Sequence, residues 1–153
     1  AGQTSPESPE CSITVNPPAL FDYSLSATGG SMKLNDTFYT NAALTLLSGA
    51  SEGVTLSVTK ITGGTSSVTG SGVPNLSIGS ANQMFTVSLS NPTGNFPTSS
   101  ARLSPIIVQT RNQTPTGNYT VEITGVSSGG LVRTATFIIS VGGQPLLPIF
   151  EEF

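Results

Sequence analysis

Side chains able to carry out chemistry are few in this chain of 153 residues. It contains no histidine, the commonest general base and a frequent metal ligand. Its one cysteine, Cys11, provides neither a Cys-type zinc site nor an internal disulfide. No phosphate-binding loop, nucleophile elbow or H-E-x-x-H motif occurs, and the adjacent acids Glu151 and Glu152 are read as solvated charges. We therefore expect a protein that is not an enzyme and has no cofactor.

Two other chemistries need the fold to be tested. Asp22 and Asp36 could share a Ca²⁺ ion with loop carbonyls, although no EF-hand loop is present. Lys33 or Lys60 could form an isopeptide bond with a buried asparagine, but a surface lysine whose stem lies along the sheet is the simpler interpretation. We expect no metal site.

The chemistry that the sequence does offer is modification of asparagine. Four Asn-x-Ser/Thr sequons occur, at Asn35, Asn75, Asn112 and Asn118. Such sequons accept N-linked glycans on the surface of secreted proteins. Asn118 has outward parity on its strand pattern, and the other three fall in turns or loops. We predict that all four are reachable from solvent and glycosylated.

Composition restricts the partners and the location of the protein. Charged residues are 8% of the chain, against roughly 25% in ordinary soluble domains, so hydroxyls and amides must dominate the surface. The five Lys and Arg are scattered, which argues against nucleic acid as a partner. No apolar run approaches the roughly 20 residues of a membrane span. The start Ala-Gly-Gln suggests a chain that remains after removal of a signal, and we expect an extracellular, cell-surface protein.

β-strands are the elements that position these residues. Seven runs have apolar side chains at alternate positions, separated by Gly- and Pro-containing turns: 21–27, 38–49, 53–61, 83–91, 102–110, 117–125 and 131–141. This pattern predicts a seven-stranded antiparallel β-sandwich over residues 21–143. Tyr119, just after the turn "TPTG" and at the start of the penultimate strand, is either a tyrosine corner or an ordinary buried aromatic residue.

Both ends of the chain lie outside this predicted domain. The N-terminal extension, 1–20, contains the alternating stretch "CSITV", and we consider 11–16 a candidate donor strand with Cys11, Ile13 and Val15 pointing into a neighbouring subunit. The same stretch could instead pair within its own domain, and Cys11 could be buried, free or paired between chains. The C-terminal tail, 144–153, is apolar and interrupted by prolines, so we expect it to pack at a subunit junction or to be the rival donor through Leu146, Leu147, Ile149 and Phe150.

Three stretches resemble the Ig-like repeats of bacterial and archaeal cell-surface proteins. They are "FDYSLSA", "LTLLSGASEGVTLSV" and "TPTGNYTVEITGVSSGGLVRTATFIISV", and the resemblance covers roughly 21–142 with a poor match over 63–100. It implies an adhesive or spacer module without catalytic residues. The organisation, a single repeat with two tails, is similar to subunits of archaeal thread-type pili, in which a sandwich domain receives a strand from the next subunit.

The leading hypothesis is a structural subunit of an extracellular prokaryotic filament, a homopolymer joined by donor-strand exchange and carrying N-linked glycans. The alternative is an isolated Ig-like adhesion or spacer module of a cell-surface or S-layer protein. A carbohydrate-binding module is less favoured, because the chain has no Trp and only three Tyr for a binding platform. A virion protein is a further possibility, since sandwich folds also build capsids.

Overall fold

The structure is a computed structural model and describes residues 20–63, 66–95 and 101–142. These residues form eleven β-strands and one 3-10 helix, Ala81–Gln83. The strands are, in chain order, β1 (Asp22–Ala27), β2 (Gly30–Met32), β3 (Thr37–Ser48), β4 (Val54–Gly63), β5 (Ser66–Thr69), β6 (Asn75–Ile78), β7 (Phe85–Leu89), β8 (Thr93–Gly94), β9 (Ala101–Thr110), β10 (Gly117–Ser127) and β11 (Val132–Val141).

The all-β class is confirmed, and each of the seven predicted runs contains one strand. The count of seven was wrong, because four short strands lie where turns and loops were predicted: β2, β5, β6 and β8. The sequences of β2, β5 and β8 contain Gly, Ser and Thr and lack a run of alternating apolar residues, so pairing with a neighbouring strand makes them extended. The sequence of β6 does alternate, with Leu76 and Ile78 inward, but over only four residues. A fully antiparallel arrangement was also wrong, since β2 pairs in parallel with the end of β11.

The strands form two sheets. One has the order β1-β3-β9-β7-β6, and the other has the order β2-β11-β10-β4-β5, with β8 paired to β4. If the seven long strands are lettered A to G along the chain, the first sheet reads A-B-E-D and the second reads G-F-C. This is the strand order of the immunoglobulin fold.

The inward side chains of both sheets belong to one hydrophobic cluster. Leu44 and Ile106 from the five-stranded sheet, and Val54 and Ile123 from the six-stranded sheet, are fully buried in it. Phe85 and Tyr119 stack across the two sheets, with ring centroids 4.1 Å apart and an interplanar angle of 5°. Burial of each large apolar side chain contributes about 1.5–3 kcal/mol, so this shared cluster holds the sheets together.

The chain crosses from one sheet to the other at Gly29. β1 belongs to the five-stranded sheet, whereas β2 pairs with β11 in the six-stranded sheet. A Cβ atom at Gly29 would lie 1.8 Å from the carbonyl oxygen of Ile138. Only glycine permits this approach, so "GG" at 29–30 moves the strand to the other sheet rather than ending it.

Tyr119 forms the predicted tyrosine corner. Its hydroxyl donates a hydrogen bond to the carbonyl oxygen of Pro115 at 2.6 Å. Gly117 has φ of 132°, a conformation that glycine supplies in the turn before the strand. Across the sheet, a Cβ atom at Gly63 would lie 2.2 Å from the Tyr119 ring. The turn and the partner glycine together fix the ring in the core.

Candidate assembly and modification sites

The chain enters and leaves the domain at opposite ends. At the N-terminal end, the carbonyl oxygen of Leu20 accepts a hydrogen bond of 2.7 Å from the Ser48 hydroxyl. At the C-terminal end, the Gly142 amide donates to the Met32 carbonyl at 2.9 Å. Strand β3 runs from the C-terminal end of the domain to its N-terminal end, and its 12 residues span roughly 35–40 Å. The described chain therefore begins at one end of the domain, at Leu20, and finishes at the other end, at Gly142.

All four sequon asparagines are exposed, as the sequence pattern predicted. Asn35 lies in the turn between β2 and β3. Its backbone N–H donates a hydrogen bond of 3.3 Å to the carbonyl oxygen of Arg111, the residue before Asn112. Asn118 lies opposite Ser140, one residue before the end of β11. Three of the sequons therefore surround the C-terminal end. Their exposure is an observation, and their glycosylation stays a prediction.

Asn75 has a different position from the other three. It is paired with Ser88, which is paired with Ile107, which is paired with Tyr39. These four residues form one row across the outer face of the five-stranded sheet. Since strands are about 4.8 Å apart, Asn75 and Tyr39 are separated by roughly 14 Å along the row.

The sequon at Asn112 includes Thr114, whose side chain is part of the folded structure. The Thr114 side chain is buried, and its hydroxyl accepts from the Arg111 amide at 2.7 Å and donates to the Met84 carbonyl at 2.8 Å. A buried hydroxyl with both roles filled cannot be presented to an enzyme by the folded domain. Of the four sequons, Asn112 is thus the one least available for modification after folding.

The predicted donor and tail residues fall outside the part of the chain that the structure describes. These are Cys11, Ile13 and Val15 in the N-terminal extension, and Leu146, Leu147, Ile149 and Phe150 in the C-terminal tail. Their roles remain predictions. What the described residues give is the place where each segment starts.

The edges of the sheets define where an added strand could pair. Among the described strands, the edges are β1 and β6 in one sheet, and β2 in the other sheet together with β5 and β8, which both pair with β4. The β1 edge is partly occupied, because the Arg133 Nε donates to the Tyr23 carbonyl at 3.2 Å. β2, β5 and β6 have only three or four residues each, and short edges limit unspecific pairing.

A cleft of about 320 Å³ opens between the sheets on the side of β5 and β6. Its described lining includes Gly63, Ile78, Gly79, Pro115 and Tyr119, and contains no Asp, Glu, Lys or Arg. The Tyr119 hydroxyl is bonded to Pro115, and burial raises its pKa above the ordinary value for tyrosine. Such a lining suits an uncharged, largely apolar group and supplies no general acid or base for neutral pH.

Two arginines of this domain have their charges compensated in different ways, one by an ion pair and the other by backbone carbonyls. Arg133 forms an ion pair with Asp22, with 2.6 Å between Nη2 and Oδ1, and both side chains are partly exposed. Arg102 is buried, and its guanidinium donates to the carbonyls of Val54, Asn91 and Gly94 at 3.1, 2.6 and 3.3 Å. Burial lowers the pKa of Arg102 from its usual value. Its contacts tie the segment around β8 to the start of β4, which is a structural role.

The shared calcium site does not form. Asp22 pairs with Ser48 at the N-terminal end of the domain, whereas Asp36 precedes β3 at the C-terminal end. Within the described residues, no three His, Cys, Asp or Glu side chains come together as metal ligands do. Lys33 and Lys60 are both exposed, as expected for surface lysines. Over the same residues, no helix has the length and hydropathy of a membrane span.

Sequence reasoning missed a set of apolar side chains on the outside of the five-stranded sheet. Tyr39, Leu47 and Leu103 are 72%, 57% and 62% exposed. They lie on the outer face of β3 and β9, in the same patch as the partly buried Ala43, Pro105 and Ile107. We call these six residues the outer stripe. Period-two alternation could have located it, because every stripe residue has the parity opposite to the core residues of its strand.

Comparisons with known proteins address the fold alone. No protein-family model matches the sequence, and no curated protein matches it. Among solved structures, the chain is similar to a family 123 glycoside hydrolase from Clostridium perfringens, with a TM-score of 0.53 and 12% identity over 79% of the chain. The chain spans about a quarter (24%) of that hydrolase, so the likeness is to one part of it.

Two other structures align with TM-scores below 0.5. One is the ASH/PapD-like domain 7 of human CEP192, with a TM-score of 0.46 and 13% identity over 91% of the chain and 94% of that domain. The other consists of domains 4 and 5 of the S-layer protein SbsC, with a TM-score of 0.44 and 17% identity over 84% of the chain and 49% of that structure. At these identities, no function is transferred from any of the three.

Proposed function

We propose that the chain is a structural subunit of an extracellular prokaryotic filament in which subunits join by donor-strand exchange. The two-sheet domain is interpreted as an Ig-like sandwich that serves as the body of the subunit. The observation that carries this proposal is the position of Leu20 and Gly142, the first and last described residues, at opposite ends of the domain. A head-to-tail polymer needs this polarity, because the donor must leave one end and reach the next domain.

The N-terminal segment is the proposed donor. An extended peptide adds to a sheet through main-chain hydrogen bonds, and alternate side chains fill pockets in the acceptor. In the stretch "CSITV", Cys11, Ile13 and Val15 are the alternate apolar residues. Pro17 and Pro18 separate this stretch from Leu20, where the described domain begins. The prolines give a stiff spacer that holds the donor away from its own domain.

Glycans and the absence of catalysis belong to the same proposal. A surface with few charges needs another source of solubility, and sugars on the exposed sequon asparagines would supply it. The cleft has no acid, base or nucleophile active at neutral pH among its described residues. We therefore propose a glycoprotein without enzymatic activity, located at the cell surface.

Deletion of residues 1–16 tests the donor. The shortened chain should be a folded monomer that does not polymerise, whereas the full chain should form filaments visible by negative-stain electron microscopy. Substitution of Ile13 and Val15 by Asp provides a second test that keeps the chain length. Filaments from either variant would contradict the N-terminal donor and direct attention to the C-terminal tail.

The second candidate is an adhesion or spacer module of a larger surface or S-layer protein. A domain that begins and finishes at opposite ends also suits a chain of consecutive domains, so the same geometry favours this second candidate. The two candidates differ in what the isolated full chain does. Monodisperse particles at all concentrations would support the module, and filaments would support the subunit.

A further inference from the structure

The outer stripe is a surface without a described occupant. Its three exposed members, Tyr39, Leu47 and Leu103, are large and apolar, and contiguous patches of this kind usually mark an interaction site. The register places Tyr39 beside Ile107 and Ala43 beside Leu103. The side chains therefore lie on one face of two paired strands, with the Thr45–Ala101 pair between Leu103 and Leu47.

Most residues around the stripe carry no charge. The outward positions of β3 and β9 near its members include Asn41, Thr45 and Ala101. The neighbouring β7 presents Thr86 and Ser88 on this side. On the other side, Asp22 of β1 pairs with Ser48, next to Leu47, and its charge is paired with that of Arg133. An occupant would meet mainly apolar groups, hydroxyls and amides, so the surface favours an uncharged segment.

The size of the stripe suits one extended segment. Two strands side by side are about 10 Å wide, and the eight residues from Tyr39 to Leu47 extend over roughly 26 Å. The resulting area of roughly 260 Å² is far below the ~800 Å² that each partner contributes to a standard protein–protein interface. A second folded copy would need much more surface than the stripe offers.

The C-terminal tail starts at the end of the domain where Tyr39 lies, although Gly142 follows a strand of the other sheet. Gly142 is bonded to Met32 at the end of β2. A Cβ atom on Gly30 of β2 would lie 2.7 Å from the inward ring of Phe38, the residue before Tyr39. Residues 143–153 extend over roughly 35 Å when stretched, which is enough to cross the roughly 10 Å between the sheets and then to follow β3 from Tyr39 towards Leu47.

We propose that the C-terminal tail of the same chain docks along the outer stripe. Residues 143–150 are uncharged and include Leu146, Leu147, Ile149 and Phe150, which match the uncharged apolar strip. Docking would remove both apolar surfaces from water, with a gain of about 25 cal/mol for each Å² of apolar area covered. The proposal is independent of polymerisation, and it differs from the expectation of a subunit junction because the contact lies within one chain.

Site-specific photo-cross-linking of the full chain tests this docking. A benzophenone side chain placed at position 103 should, on illumination, join to a peptide from residues 143–153, and the product should run at monomer mass on a denaturing gel. Position 138 is the matched control. Ile138 is also exposed, on the outer face of the other sheet, and it is only four residues from Gly142. A tail without a preferred site would be captured there at least as often.

The proposal predicts a yield at position 103 several-fold above that at position 138. A product at dimer mass would overturn it and assign the stripe to a second copy. Equal yields at the two positions, or no tail peptide at position 103, would also overturn it. In a separate measurement, removal of residues 143–153 should increase the binding of an apolar fluorescent dye several-fold, and adding Leu103→Ser should reverse most of this increase.

Discussion

Strands β9 and β10 lie in the middle of their sheets, but they distribute polar and apolar side chains in opposite ways. Strand β10 follows the usual pattern from Tyr119 to Thr124, with Tyr119, Val121 and Ile123 inside and threonines outside, and only its end is inverted, where Val126 is exposed and Ser127 is buried. The first half of β9 is inverted. Arg102 and Ser104 are buried, whereas Leu103 is exposed. The difference shows that the sheet geometry, rather than the polarity of each residue, decides which side of the sheet a side chain faces.

The inversion follows from the period of the strand. Ile106 and Val108 in the second half of β9 are fully buried, so residues 102 and 104 must face the same way. The structure accommodates these polar groups with backbone acceptors. Ser104 donates to the Ser90 carbonyl at 2.7 Å, and Arg102 reaches three carbonyls. Buried polar groups that are hydrogen-bonded avoid most of the desolvation cost.

The outward half of the inversion points to function. A threonine outside β10 satisfies itself with water or with neighbouring hydroxyls, as Thr59 and Thr124 do at 2.9 Å. A leucine outside β9 gains nothing from water. Together with Tyr39 and Pro105 it makes the outer face of the five-stranded sheet a candidate contact surface, and the six-stranded sheet has a second exposed apolar set on its outer face, Val126, Val132 and Ile138.

The largest effect is expected from Arg102→Met, in the first half of β9, where polar side chains are buried. Methionine has a similar length and no donors, so the carbonyls of Val54 and Gly94 would lose the guanidinium donor, whereas the Asn91 carbonyl would keep the Ser104 hydroxyl at 3.2 Å. We expect the free energy of unfolding to fall by about 2–4 kcal/mol, measured by chemical denaturation. The control is Arg133→Met, which breaks a partly exposed ion pair and should cost less than about 1 kcal/mol. Equal losses would mean that burial does not distinguish the two arginines.

A smaller effect is expected from Tyr119→Phe in the regular strand β10. This change keeps the stacking on Phe85 and removes only the hydrogen bond to the Pro115 carbonyl. The expected loss is about 1 kcal/mol in free energy of unfolding. Tyr39→Phe removes the same hydroxyl from an exposed ring of the outer stripe and should change stability by close to zero. A loss at Tyr39 as large as that at Tyr119 would contradict this assignment.

The smallest effect on the free energy of unfolding is expected at an outward position of β9, and it is compared with an inward position of the same strand. In a chain that ends at Gly142, Leu103→Ser removes most of an exposed side chain and should change the free energy of unfolding by less than about 0.5 kcal/mol. In the full chain the docked tail covers Leu103, so the same substitution should cost more than it does in the shortened chain. Ile106→Val removes a single buried methylene and should cost about 0.5–1.5 kcal/mol in either chain. Chemical denaturation of the four variants checks these values, and an equal effect of Leu103→Ser in the two chains would contradict docking of the tail.

Much of the fold could be predicted from period-two patterns. The seven runs of alternating apolar residues are strands, and their apolar positions form the core, because one face of each strand must be buried against the other sheet. The tyrosine corner at Tyr119 was one of two interpretations of the sequence, since a turn with Pro115 and Gly117 immediately precedes the strand, and the hydrogen bond to Pro115 decides for it. These signals are local and need no knowledge of the neighbouring strands.

The candidate sites were predictable only in part. The sequons, including Asn35 and Asn118, were expected at exposed positions and are exposed. The sequence could not show that Thr114 is buried, because that depends on the Met84 carbonyl from a distant segment. Nor could it show that Asp22 and Asp36 are at opposite ends, since only the length of β3 between them sets their separation.

The sequence by itself determined the all-β class, the positions of the long strands and the identity of the core, because alternation and turn residues act within a few neighbouring positions. The tertiary structure alone decided the four short strands, the parallel pairing of β2 and the passage between sheets at Gly29. It also decided that three sequons surround one end and that six apolar side chains form a stripe on β3 and β9. Each of these depends on pairing between residues far apart in the chain, and no local pattern encodes the register of such pairs.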